Sequence, residues 1–213
     1  MSKLQKVVVL NKVAIAENVF LLSFKRDFDF QAGQIIGLTN DPELQPRLYS
    51  ICSAPKDEHV TILFNVKTDG TLTPPLAKVE PGDDLWISEV QGKFVSNGEP
   101  AWWIATGTGI APFYSMFKSG IVPEKLIQGG RRVDDFYFSE AFSEIEDYVR
   151  CATVDIAEGL YPGRLTKYLE ELESFPTDIY YYLCGASEMV VDVRNFLINK
   201  NVPFDHIITE IYF

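Results

Sequence analysis

Through the first half of the chain, short runs of β-branched and aromatic residues are broken by polar turn formers. Residues 7–10, 19–24, 34–39, 47–52, 60–66 and 84–88 carry such runs, and each is predicted to be a strand. Turn chemistry lies between them at 29–33, 40–42, 54–57 and 81–84, where Gly, Pro, Asn and Asp gather. A short helix fits within residues 74–79. Strands this short and this closely spaced predict a small antiparallel barrel or sandwich.

The rhythm then changes. Strands at 101–105, 125–128, 149–154, 179–184 and 206–212 alternate with helices at 112–118, 139–148, 165–173 and 188–199. Strand–helix alternation predicts a parallel sheet covered on both faces, a doubly wound α/β layer. The polar stretch Ser96-Asn97-Gly98-Glu99-Pro100 marks the expected boundary, giving domains 1–97 and 98–213.

Composition narrows the chemistry. The 213 residues carry a net charge of −11, which argues against a general nucleic-acid binder and against attraction to anionic membranes. The cysteines Cys52, Cys151 and Cys184 form no CxxC pair, and three thiols cannot ligate a four-cysteine iron–sulfur cluster; no metal site is expected. An odd thiol count suits a reducing compartment. The apolar run at 7–10 is too short for a signal-peptide core, and no run approaches the length of a membrane helix. The expected location is the cytoplasm.

Candidate chemistry gathers at a few places. Gly107-Thr108-Gly109-Ile110-Ala111-Pro112 follows a strand and opens a helix. Glycines there can let a phosphate or a ring approach the backbone, and a helix start offers unpaired N–H groups; a tight strand-to-helix turn is the plainer reading. In open parallel sheets, ligands sit beyond the carboxyl ends of strands. Gly129-Gly130-Arg131-Arg132 and Cys184-Gly185 stand at such ends. The arginines suit a phosphate or are simply solvated, and Cys184 is either a site residue or a buried small hydrophobe. In Arg47-Leu48-Tyr49-Ser50, alternation puts Arg47 and Tyr49 on one strand face. An arginine there can hold a diphosphate while the ring stacks on a planar group, or it pairs at a sheet edge. Gly70-Thr71-Leu72-Thr73-Pro74 leads into the short helix. The chain ends Glu210-Ile211-Tyr212-Phe213, an aromatic close that is either core or a cover for a flat ligand.

Taken in order, these segments, with Arg131 followed by Asp135, Gly163-Arg164, and Cys184-Gly185 with Met189, resemble the ferredoxin/flavodoxin–NADP reductase family, especially its bacterial branch. The resemblance spans nearly the whole chain. It implies a Greek-key β-barrel domain holding FAD, then an α/β domain holding NADPH or NADH. It implies that Arg47 holds the flavin diphosphate, that Leu48 and Tyr49 flank the flavin with Tyr49 against the ring, and that Ser50 bonds near N5. Phe64, Val66, Thr71, Leu72 and Thr73 complete the FAD site, with Thr108 and Gly109 facing both cofactors. Arg131, Arg164, Gly185 and Met189 are implied for the nicotinamide nucleotide. Cys184 and Glu210 frame hydride transfer with Ser50, Tyr212 lids the ring, and Phe213 extends that lid.

The implied activity is electron transfer between NAD(P)H and a ferredoxin or flavodoxin, by a monomer. Two alternatives are a reductase of free flavin and an electron-transfer subunit of a larger complex. Asp155 stands where NADP-specific members tend to carry an arginine and would repel a 2′-phosphate if it pointed inward. Lys3, Lys6, Lys12, Lys25, Arg26 and Lys93 are the expected basic patch for an acidic carrier.

Overall fold

Strand β1 (Gln5–Ala16) buries Val7 and Val9 and exposes Val8 and Leu10, the period of two expected of a sheet covered on one face. The computed structural model describes residues 4–212, and its contacts divide the chain into two units. The first runs to Ser96 and takes in Ala111–Gly120; the second is Asn97–Ile110 together with the chain from Ile121 onward.

The first unit continues with β2 (Val19–Lys25), β3 (Ile35–Thr39), β4 (Arg47–Ser50), β5 (His59–Asn65), the short helix α1 (Thr73–Leu76) and β6 (Asp84–Ile87). The sheet order is β4-β3-β6-β1-β2-β5, and every paired neighbour is antiparallel. A single bridge between Ile51 and Ile62 joins the two ends of that order, curling the sheet into the expected barrel. Val9, Leu22, Phe24, Ile36, Leu38, Ile62 and Leu85 fill it. Strand β1 is three times as long as the run at 7–10 because it also pairs with β2 as far as Ala16, with register shifts near Val9 and Ala14. Such irregularities bend a long strand so that it can serve two neighbours.

The second unit opens with β7 (Ala101–Thr106), which ends in a 3₁₀ turn, Gly107–Ile110. Helix α2 (Ala111–Lys118) follows and groups with the first unit. There Ser115 Oγ donates to the Ser53 carbonyl at 2.6 Å and Lys118 pairs with Asp57 at 2.5 Å. The second unit then runs through β8 (Lys125–Gly130), α3 (Ser139–Phe142), β9 (Tyr148–Ala152), β10 (Leu160–Pro162), α4 (Leu165–Glu171), β11 (Tyr180–Ala186), α5 (Ser187–Asn199) and β12 (Ile207–Tyr212). Its sheet is wholly parallel, in the order β10-β9-β8-β7-β11-β12. The chain winds outward from β7 in one direction and then in the other, the doubly wound arrangement expected.

Burial of Trp103, Ile104, Tyr181 and Leu183 stabilises this layer by about 1.5–3 kcal/mol per large side chain. Two phenols buried in this layer keep partners: Tyr181 Oη donates to the Pro176 carbonyl at 2.8 Å, and Asn97 N–H donates to Tyr182 Oη at 3.1 Å. In the second unit, the expectation missed at two places. The helix expected at 139–148 stops at Phe142, and the short strand β10 went unread. Among the described residues, no helix is long and apolar enough to cross a membrane.

Candidate functional site

In the first unit, burial along β4 rises from Arg47 to Ser50 instead of alternating between faces. Arg47 is exposed, Tyr49 half-buried and Ser50 buried, while Leu48 is 58% exposed. The Tyr49 phenol packs against the barrel core, and burial pushes its pKa up to about 12 against the pull of Arg47. The ring is therefore neutral at any ordinary pH. Arg47 makes no ion pair among the described residues. It borders a cavity of about 310 Å³ lined also by Thr39, Asn40, Leu44, Gln45, Thr71 and Leu72.

Three chain segments build that cavity. Strand β3 ends at Thr39, and the following loop is held by its own polar groups. Thr39 Oγ1 donates to the Asp41 carbonyl at 3.0 Å, and Glu43 N–H donates to Asp41 Oδ1 at 3.0 Å. Opposite lies the start of α1, where Pro74 and Pro75 carry no N–H, so the backbone donors on this side are those of Thr71, Leu72 and Thr73. Thr73 Oγ1 accepts from Lys67 N–H at 2.8 Å and so fixes the approach to the helix. Asn40 borders the cavity, but its Oδ1 is buried away from it and has no hydrogen-bond partner among the described residues. Thr39, Asn40, Leu44 and Gln45 were not singled out from sequence. The segment Asn40-Asp41-Pro42 reads locally as a turn, and nothing in its residue types announces a cavity.

Phe64 is not available to a ligand through its ring. It is 1% exposed and stacks on Phe20 at 5.5 Å between centroids inside the barrel core. Val66 packs on the same core.

In the second unit, the carboxyl ends of β7, β8, β11 and β12 carry the remaining candidates. The glycines of the turn after β7 have different duties. A Cβ on Gly107 would meet open space, whereas one on Gly109 would collide with the Cys184 carbonyl and Gly185 Cα. Gly185, at φ +142°, would drive a Cβ into Thr106. Gly109 and Gly185 are glycines because the turn lies hard against β11. Ala186 N–H reinforces this by donating to Thr106 Oγ1 at 3.3 Å. Of the three, only Gly107 leaves its Cβ side open. Thr108, next along, is half-buried.

At the end of β8, carboxylates take up the backbone donors. Asp135 Oδ2 accepts from Arg131 N–H at 2.8 Å and from Arg132 N–H at 3.0 Å. Asp155 Oδ2 accepts from Val133 N–H at 2.8 Å, and its Oδ1 lies 3.9 Å from Arg132 Nη1. Arg131 and Arg164 are exposed, and neither makes an ion pair among the described residues. Met189 is 9% exposed and turns into the sheet–helix core.

Cys184 lies in register with Ala105 on one side and Glu210 on the other. Its thiol is fully buried. Burial holds its pKa well above the ordinary value, the Glu210 charge adds to that shift, and a hydrogen bond with Tyr212 opposes it. The Glu210 carboxyl is itself raised by burial. Cys184, Glu210 and Tyr212 thus form one cluster on adjacent strands, with an uncharged thiol at its floor. Ser50 belongs to the first unit and is 2% exposed. Phe213 lies outside the described residues.

A family model described as an oxidoreductase NAD-binding domain matches residues 103–195. The flavodoxin/ferredoxin–NADP reductase of Escherichia coli is 31% identical over 192 residues, covering 78% of this chain and 77% of that protein. A Pyrococcus horikoshii protein named probable dihydroorotate dehydrogenase B (NAD(+)), electron transfer subunit, is 30% identical over 208 residues, covering 89% and 73%. Among solved structures, a ferredoxin NADP+ reductase from Neisseria gonorrhoeae with bound FAD and NADP superposes with a TM-score of 0.87 at 20% identity, covering all of both chains.

Proposed function

Because the chain belongs to the ferredoxin/flavodoxin–NADP reductase family, we propose that it is an FAD-dependent oxidoreductase moving electrons between NAD(P)H and a one-electron carrier protein, a ferredoxin or flavodoxin. The first unit suits the flavin. An arginine with no ion pair among the described residues, the backbone N–H groups of Thr71 to Thr73 just ahead of Pro74, and a neutral half-buried tyrosine on the same strand as the arginine match a diphosphate joined to a planar ring. The Arg47 cavity is the observation that carries the reading. FAD, when bound, supplies hydride acceptance from NAD(P)H and one-at-a-time release of the electrons.

The chain's own residues position and screen. Arg47 neutralises the diphosphate, with the N–H groups of Thr71, Leu72 and Thr73 beside it. Tyr49 offers a ring that stays protonated and so adds no charge against the flavin. Leu48 is the exposed apolar neighbour on the same strand, and Phe64 and Val66 support the site from the core. Ser50 has the hydroxyl to hold a proton at flavin N5. In the second unit, Arg131 and Arg164 are the free cations for the nucleotide phosphates. Gly109 and Gly185 let the Thr108 turn lie close to β11, and Met189 backs it. Cys184 gives an uncharged wall for the nicotinamide, Glu210 a carboxyl able to stabilise its developing positive charge, and Tyr212, tied to the Cys184 thiol, a movable cover.

The test is the visible spectrum of the purified chain before and after anaerobic NADPH or NADH. Flavin absorption at about 450 nm is expected, bleached by the nucleotide and restored by oxidised ferredoxin or flavodoxin. A colourless protein that rapidly reduces added FMN would instead make it a reductase of free flavin. A second reading, a redox subunit of a larger complex, is favoured by the likeness to the Pyrococcus horikoshii subunit. Co-elution of the native chain with a second polypeptide on a sizing column would select it.

A further inference from the structure

We propose that this chain forms a two-fold symmetric dimer through the open edge of its parallel sheet. Strand β12 of one copy runs antiparallel to β12 of the other, and the two α5 helices pack alongside. The dimer stands independently of the flavin reading and replaces the monomer that the resemblance implies. The two edges of the sheet are built differently. Strand β10 is three residues long and ends in Pro162, features that keep an edge from pairing. Strand β12 reads Ile-Ile-Thr-Glu-Ile-Tyr over Ile207–Tyr212, rich in β-branched residues and without proline or lysine. Its ladder to β11 is regular, with no bulge. From Ile208 to Ile211 its other edge makes no backbone hydrogen bond among the described residues. Such a row of unpaired N–H and C=O groups is a template for a further strand.

The helix beside that edge leaves apolar surface uncovered on the same side. Helix α5 contacts both β11 and β12 and buries Met189, Val190, Val193 and Leu197. One flank carries Phe196, whose ring meets Phe175 at 5.2 Å, toward α4. Val191 and Ile198 lie about 140–160° around the helix from Phe196, on the flank nearer the open edge. They stand two turns apart and are 37% and 39% exposed. A helix over the β11–β12 pair stands about one strand spacing from the two-fold axis. Its copy is then roughly 10 Å away, the packing distance of two helices. A second copy of the chain thus pairs the strand and covers the apolar flank together, whereas a lone peptide strand would leave the flank bare.

Symmetry then fixes the register. A two-fold axis normal to the sheet sets residues of the same face opposite one another, so it passes beside a residue and not between two. At the middle of β12 the choices are Thr209 and Glu210. Centring on Glu210 would bring that carboxyl against its own copy, like charge on like. Centring on Thr209 sets Thr209 against its own copy, and pairs Ile207 with Ile211 and Ile208 with Glu210 across the interface.

The test is light scattering on a sizing column, with the full chain at micromolar concentration, joined to disulfide trapping. Salt of about 150 mM, with a Debye length of about 8 Å, blunts the repulsion between two chains of charge −11. The parent is expected at the mass of two chains, and Ile198→Glu at the mass of one. A retained cooperative thermal transition shows that the variant is folded; should Ile198→Glu not fold, Val191→Glu makes the same comparison. Thr209→Cys is expected to give a disulfide-linked dimer under mild oxidation. Opposed residues of antiparallel strands lie about 4.5–5.5 Å apart between Cα atoms, within disulfide reach. The native cysteines are all buried, and Val122→Cys, exposed elsewhere on the same unit, is expected to stay unlinked. A parent at the mass of one chain overturns the proposal. So does a dimer that survives the glutamate variants, that fails to link through Thr209→Cys, or that links equally through Val122→Cys.

Discussion

Two carboxylates in the second unit behave differently because their surroundings differ. Glu210 sits beside the buried Cys184 thiol, and burial raises its pKa. The folded chain therefore binds this proton more tightly than the unfolded chain. Its contribution to stability is fullest below the ordinary carboxylate range and is lost as pH rises through the raised folded value. Glu210→Gln removes that loss. Its melting temperature should exceed the parent's at pH 8 by about 1–3 °C and match it at pH 4; an equal offset at both values would show that the carboxyl titrates normally. Asp155 instead holds Val133 N–H and lies 3.9 Å from the Arg132 guanidinium. It accordingly offsets positive charge that a 2′-phosphate would use. Asp155→Asn keeps an acceptor for Val133 and releases Arg132. The ratio of kcat/KM for NADPH to that for NADH should rise about threefold, the modest size expected of exposed charges. An unchanged ratio would place the 2′ end of the nucleotide elsewhere.

At the scale of elements, the turn after β7 is decided by packing. Gly109 is pressed against Cys184 and Gly185, whereas Gly107 faces open space. Gly109→Ala should cost about 1–3 kcal/mol in urea unfolding, as overpacking does. Gly107→Ala carries only the strain of its positive φ, about 1–2 kcal/mol, and should leave the Cys184 surroundings unaltered. If the Gly107 variant were the more damaged, close packing would not be what Gly109 provides.

The same contest between local pattern and tertiary partner explains the misread elements. Phe142 and Ile145 are both buried and carry the helical period past the true end of α3. The chain nonetheless gives up helix so that Tyr148 can pair with Leu126 in the sheet and donate to Gln128 Oε1 at 2.5 Å. Strand β10 is three residues long, ends in Pro162 and pairs only with β9. An edge strand tolerates proline, and so short a run has no period to read.

For the whole molecule, charge is the lever. Most carriers of the proposed kind are acidic, and so is this chain at −11. The expected basic patch is thinner than its sequence suggested. Lys6 pairs with Asp84 at 2.6 Å, Lys12 donates to the Ala77 and Val79 carbonyls, and Arg26 donates to the Pro55 carbonyl. Lys25 and Lys93 are exposed, and Lys3 lies outside the described residues. Net repulsion should therefore govern the encounter with an acidic carrier. Its reduction rate should rise between 20 and 200 mM salt (round values of about these sizes), as the Debye length shortens. A rate that falls with salt would reveal a stronger local basic face than these residues supply.

The amino-acid order alone determined the two architectures and the family, since strand and helix periods arise from local sterics and the glycine, arginine and tyrosine motifs keep their spacing wherever the chain folds. Tertiary structure decided what those residues do with their polar atoms. Whether Asp155 turns to Arg132, whether Lys12 is spent on carbonyls, whether Phe64 is wall or core, and that Asn40 is left with an unpaired oxygen all depend on partners remote in sequence. A hydrogen bond or a buried contact is a property of two groups brought together by folding, and no periodicity along one strand or helix specifies the second.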